Sequence, residues 1–86
     1  MKYPLLEYTN IERYLPLIRS LKVSKVARSP NQFLDIYKRH GSQLPKRWEI
    51  KRENFIKRHY VQYMHNPTVR RRLALITWAF DPEYKS

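Results

Sequence analysis

The sequence predicts an all-α fold, a compact bundle of three to four helices, and three observations carry that expectation. Apolar residues recur at steps of three and four along nearly the whole chain, the period of a helix with one buried face. The segments marked in this way are separated by proline starts, a lone glycine and an Asp-Pro stop. Glycine occurs once while aromatics make up 14% of the residues, unlike a disordered chain. With 86 residues the chain can enclose one small core, so 1–86 reads as a single helical domain.

The first helix is expected after Asn10 as cap, with Ile11, Tyr14, Leu15, Ile18 and Leu21 on one face. Pro16 lies on the opposite side and removes a backbone donor, so it either kinks this helix or marks a later start. "KVSKVARSP" then forms a short turn of helix or an extended link. Ser29-Pro30 is a strong start, an N-cap followed by proline at the first helical position. Phe33, Leu34, Ile36, Tyr37 and His40 share a broad face, and Gly41 suits a left-handed C-cap.

Leu44-Pro45 opens a long helix from about Lys46 to Met64, whose core side carries Trp48, Phe55, Ile56, Tyr63 and, at the margin, Tyr60. Arg47, Lys51 and Arg58 fall on a separate side at steps of four and seven. His65-Asn66-Pro67 breaks the chain. Thr68 then caps a last helix from about Val69 to Phe80, with Val69, Leu73, Ile76 and Phe80 in one stripe, and Asp81-Pro82 ends it.

Charge is the dominant compositional fact. Eighteen Lys and Arg stand against seven Asp and Glu, a net +11. Residues 45–72 alone hold nine basic side chains and two acids. Such clustering recruits polyanions; the bland alternative is a solvated basic surface. The absence of cysteine excludes a disulfide framework and a thiolate zinc site. It fits a cytoplasmic setting, or a host-cell interior for a viral protein. No signal peptide or membrane span is legible.

Two basic groups are candidate nucleic-acid contacts. Arg70, Arg71 and Arg72 occupy the first turn of the last helix, where the dipole disfavours cations unless an anion is bound. Arginine supplies a planar fork for phosphate oxygens. Successive residues fan out by about 100°, so the three cannot face one anion, and one of them could instead pair with Asp81, Asp35 or Glu53. Arg47, Lys51 and Arg58 form the second group, a basic stripe able to lie along a phosphate backbone. Arg52 and His59 project toward Trp48 and Phe55 and are expected at the border of the core with polar tips wet or hydrogen-bonded; a buried Arg52–Asp35 pair is the alternative.

Little points to catalysis. His40, His59 and His65 accompany no cysteine and no dense carboxylate cluster, and no Gly-rich phosphate loop occurs. The sequence therefore predicts no enzyme, no cofactor, no metal site and no small-molecule substrate. Trp48, Phe55, Trp78 and Phe80 are expected in the core, with Tyr3, Tyr8, Tyr60 and Tyr84 freer.

"VSKVARSPNQFLDIYKRHG", "RENFIKRHYVQ" and "PTVRRRLALITWAFDP" together resemble a short uncharacterised domain of bacterial and some viral proteins. That domain is marked by a "VSR..SPRGFL..Y" start, an "R..F..RH.AQ" middle and a "PTRRHLALIMWAY.P" end. The resemblance spans residues 23–82. Here Arg72 stands where the pattern has histidine, and the segment Tyr63–Asn66 replaces a longer loop. The resemblance implies a fold unit and no mechanism. More locally, "ARSPNQFLDIYKRHGSQLPKRW" is similar to the last helix-turn-helix of AraC-type regulators through Ser29, Phe33, Tyr37, Lys38, Gly41 and Pro45. The functional expectation is a non-enzymatic module that binds DNA or RNA mainly through phosphates. The competing expectation is a protein-interaction or assembly module with an acidic partner.

Overall fold

The computed structural model describes residues 3–23 and 30–84. Four helices follow one another: α1 (Tyr8–Ser20), α2 (Pro30–His40), α3 (Lys46–His65) and α4 (Val69–Ile76). No strand occurs among the described residues, and the expected all-α bundle is the observed architecture. The Ser29 cap and most of the expected 22–30 link lie outside the described residues.

Helix α1 starts earlier than the Asn10 cap would place it. Glu7 occupies the N-cap and makes no side-chain cap bond. Tertiary contacts hold the start instead. The Leu6 N–H donates to the Ala79 carbonyl at 2.7 Å, the Tyr37 hydroxyl donates to the Leu6 carbonyl at 2.8 Å, and Tyr8 packs against the Tyr37 ring. Pro16 lies inside α1 on its exposed side, as does Glu12, whose carbonyl would otherwise accept the missing donor.

The ends of α2 and α3 follow the sequence closely. Gly41 has φ +59° and its N–H donates to the Tyr37 carbonyl at 2.7 Å, a left-handed cap after the last helical residue. Pro45 is the N-cap of α3, with ψ 142°. At α4, Thr68 Oγ1 accepts the Arg71 N–H at 3.2 Å, as the sequence predicts.

Helix α4 stops at Ile76, four residues short of the expected Phe80. Ala79 has φ +61°, the Ala79 N–H donates to the Ile76 carbonyl and the Phe80 N–H to the Leu75 carbonyl. That pair of bonds is a Schellman end with alanine in the left-handed position. Val69, expected in the core stripe, is 59% exposed: it is the first residue of α4, before the helix enters the bundle. His40, expected on the apolar face of α2, is also exposed in its last turn.

Helix α4 packs against α3 and α1, and Leu73 through Ile76 are buried. Trp78, just beyond α4, centres the aromatic part of the core. Phe33 and Phe55 stack on it at 4.9 and 5.0 Å between centroids, and Trp48 lies 6.3 Å away. Tyr3 and Tyr60, read as freer, meet Phe80 edge-on, and only Tyr84 of that group is exposed.

Candidate nucleic-acid interface

The two basic groups separate by what their side chains already hold. Arg72 is committed to the fold. Its Nε and Nη2 donate to Asp81 Oδ1 and Oδ2, both at 2.9 Å, and its guanidinium covers the Tyr14 ring at 5.6 Å. This two-pronged bond is the Asp81 pairing that the sequence admitted as the alternative to an anion contact. Burial pushes the Asp81 carboxyl up, but the bonds from Arg72 and the Glu83 N–H outweigh that effect and leave its pKa below the ordinary value. The same pairing raises the pKa of Arg72. Arg72 is therefore set apart from the exposed cations.

Arg71 is half-buried, and its Nη1 donates to the Asn66 carbonyl at 2.9 Å, which closes the Asn66-Pro67-Thr68 turn over the start of α4. Arg70 is exposed and makes no ion pair among the described residues. Both arginines line a groove of about 370 Å³ together with Thr68, Ala74, His59 and Gln62. His59 stacks on Phe55 at 3.9 Å between ring centroids, so it sits at the border of the core, as expected.

Arg47, Lys51 and Arg58 are all exposed on α3. Lys51 Nζ lies 4.8 Å from the centroid of Trp48 and the Arg47 guanidinium 5.8 Å from it. Both cations lie over the ring, worth about 0.5–1 kcal/mol each at an exposed site, and both residues remain exposed. Gln62 is four residues beyond Arg58 and so shares its side of α3. Gln62 also lines the groove that holds Arg70 and Arg71, although Arg58 and Arg70 lie 12 residues apart in the chain. The sequence reading passed over Gln62; its i+4 step from Arg58 was the available signal.

Arg52 departs most from expectation. Its tip is hydrogen-bonded, one of the two expected states, but the residue is fully buried instead of lying at the core border, and it makes no bridge to Asp35, which is exposed. Its Nε donates to the Trp78 carbonyl at 2.7 Å, Nη1 to Tyr3 at 2.8 Å, and Nη2 to Pro4 at 3.0 Å and Ala79 at 2.8 Å. Burial pulls its pKa down to about 10, which leaves it charged at neutral pH. Arg52 thus belongs to the core, and the basic surface is made by its neighbours.

Among the described residues no group of three or more His, Asp or Glu is placed to hold a metal ion. None of their helices is long and apolar enough to cross a membrane. Comparison with family models, curated proteins and solved structures finds no match.

Proposed function

We propose that the protein is a non-enzymatic nucleic-acid-binding module that holds phosphates along the outer side of α3 and at the start of α4. The observation that supports this reading is that Gln62, on the Arg58 side of α3, lines the same groove as Arg70 and Arg71. Arg72 drops out of the contact set because Asp81 holds it. Phosphate oxygens accept from Arg70 and Arg71 as planar forks and from Lys51 as a point charge. The groove at a helix start adds the favourable end of the α4 dipole.

The test is fluorescence polarisation with labelled duplex DNA, single-stranded DNA and RNA at low and moderate salt. Binding is expected in the micromolar range or tighter, with log K falling as log salt rises. Each lost duplex contact is expected to reduce that slope by about 0.9, so Arg58→Ala and Arg70→Ala each flatten it by that amount. The absence of salt-sensitive binding to any of the three probes ends the proposal.

A second reading draws on the apolar residues among these cations. Met64 is 66% exposed and Val61 56%, which suits a protein-interaction module with an acidic partner carrying apolar side chains. A pull-down with and without nuclease separates the two: a partner retained after nuclease treatment favours assembly.

A further inference from the structure

Helix α3 is 20 residues long, about 30 Å at 1.5 Å per residue, and it exposes one side for its whole length. At about 100° per residue, its exposed positions span an arc of about 160°, and eight of them fall into three rows. Arg47, Lys51 and Arg58 form one margin. Lys46 and Lys57 form the other. Ile50, Asn54 and Val61 form the crest between them, about 60° from the first margin and about 50° from the second. All eight side chains are exposed, with Ile50 at 50%. The helix's two acids, Glu49 and Glu53, are half-buried and lie beyond the Lys46–Lys57 margin, off the crest.

We infer that α3 is a groove-reading helix that enters the major groove of duplex DNA, with cations on both margins meeting the two phosphate backbones and Asn54 on the crest reading a base edge. This inference rests on the nucleic-acid reading above and names its ligand. A helix with its side chains is about 10–12 Å across, and the major groove of B-form DNA is about 12 Å wide. Cations on a single margin would suit a helix lying along one strand. Cations on two margins, with a charge-free crest between them, fit a helix that has a strand on either side.

The crest chemistry fits base edges. An exposed asparagine amide can donate to and accept from adenine in a bidentate pair, and aliphatic side chains such as Ile50 and Val61 can contact the thymine methyl group. The crest from Ile50 to Val61 covers about 16 Å, the height of about five stacked base pairs. Duplex RNA is a poor ligand for this shape, because its major groove is deep and too narrow for a helix to read.

The experiment compares duplex DNA, duplex RNA and single-stranded DNA of matched length and pooled sequence, at one salt concentration, followed by selection from a randomised duplex DNA pool. Duplex DNA is expected to bind at least about tenfold tighter than the other two probes. Selection should enrich an A·T pair at one fixed position. Asn54→Ala, at an exposed site where the helical circular dichroism should not change, is expected to lose about tenfold in affinity for the selected sequence and little for the unselected pool. Arg58→Ala is expected to weaken both pools equally. Equal binding of all three probes overturns the groove inference and leaves the phosphate reading standing. So does a selected preference that Asn54→Ala does not change. Failure of every probe to bind overturns both.

Discussion

At Arg52 the N–H donors of a planar fork make four bonds to carbonyls from two parts of the chain, Tyr3 and Pro4 on one side and Trp78 and Ala79 on the other. Lysine has fewer donors and no fork, so it could not span the same set. Truncation would leave carbonyls without donors. Those of Tyr3 and Pro4 can turn toward water, and that of Ala79 keeps the bond from the Leu6 N–H, whereas that of Trp78 sits in a buried turn. At about 1–3 kcal/mol for the one buried orphan, Arg52→Met is expected to cost about 1–3 kcal/mol. That is a large share of the stability of a domain this size. Urea denaturation followed by circular dichroism measures it, and a loss below about 1 kcal/mol would show that the clamp does not hold the fold. The helical period placed Arg52 on the core side of α3. What the sequence did not reveal was its set of acceptors, 26 to 49 residues away, because backbone carbonyls carry no residue-specific signal.

Helix boundaries divide by whether a side chain or the backbone makes them. Thr68, Pro45 and Gly41 announce their roles through a hydroxyl, a ring and a missing Cβ, and the chain turns where each one stands. Lys22 and Ala79 announce nothing, yet both adopt left-handed φ, 54° and 61°. Each closes a Schellman end, Val23 N–H to Ile18 carbonyl in α1 and Phe80 N–H to Leu75 carbonyl in α4. The left-handed conformation costs a side-chain-bearing residue about 1–2 kcal/mol. Burial of Val23 against the core and the two bonds accepted by the Ala79 carbonyl offset that cost. This is why the sequence extended α4 to Phe80: the apolar stripe continues through the turn, and only tertiary contacts end the helix. The candidate site divides in the same way. Both basic groups were legible from spacing, whereas the withdrawal of Arg72 to Asp81 needed the turn that carries Asp81 back. Because Lys22 is exposed, Lys22→Gly is expected to stabilise the protein by about 0.5–1 kcal/mol, less the entropy glycine adds to the unfolded chain. Gly41→Ala is expected to destabilise it by about 1 kcal/mol, although a Cβ there would meet nothing within 4 Å. Thermal melts of the two variants should therefore shift in opposite directions. A destabilised Lys22→Gly would mean that its side chain contributes more than its backbone strain.

Across the whole molecule, seven carboxylates are the only counterweight to eighteen Lys and Arg, so acid weakens the fold in two ways. Protonating exposed carboxylates raises the net charge and with it the self-repulsion of the folded state. Protonating Asp81 also breaks the bond through which Arg72 ties α4 to the turn beyond it. The sign of the second effect follows from the lowered folded pKa of Asp81. Its stabilisation is complete above the unfolded value, about 3.9, and is lost as pH falls through the lower folded value. Salt separates the two effects, because a Debye length of about 3 Å at 1 M screens diffuse repulsion more than a hydrogen-bonded contact. With Arg72 one-third exposed, Asp81→Asn is expected to cost only about 1 kcal/mol at pH 7. That difference from wild type should persist down to about pH 4 and disappear below the folded pKa. Added salt should raise the stability of both proteins without closing the gap between them at pH 7. Denaturation curves at several pH values, with and without salt, test both effects. A gap that does not narrow at any acid pH would mean that the Asp81 side chain stabilises by packing and hydrogen-bonding in its neutral form, and that the acid sensitivity of the molecule comes from its net charge alone.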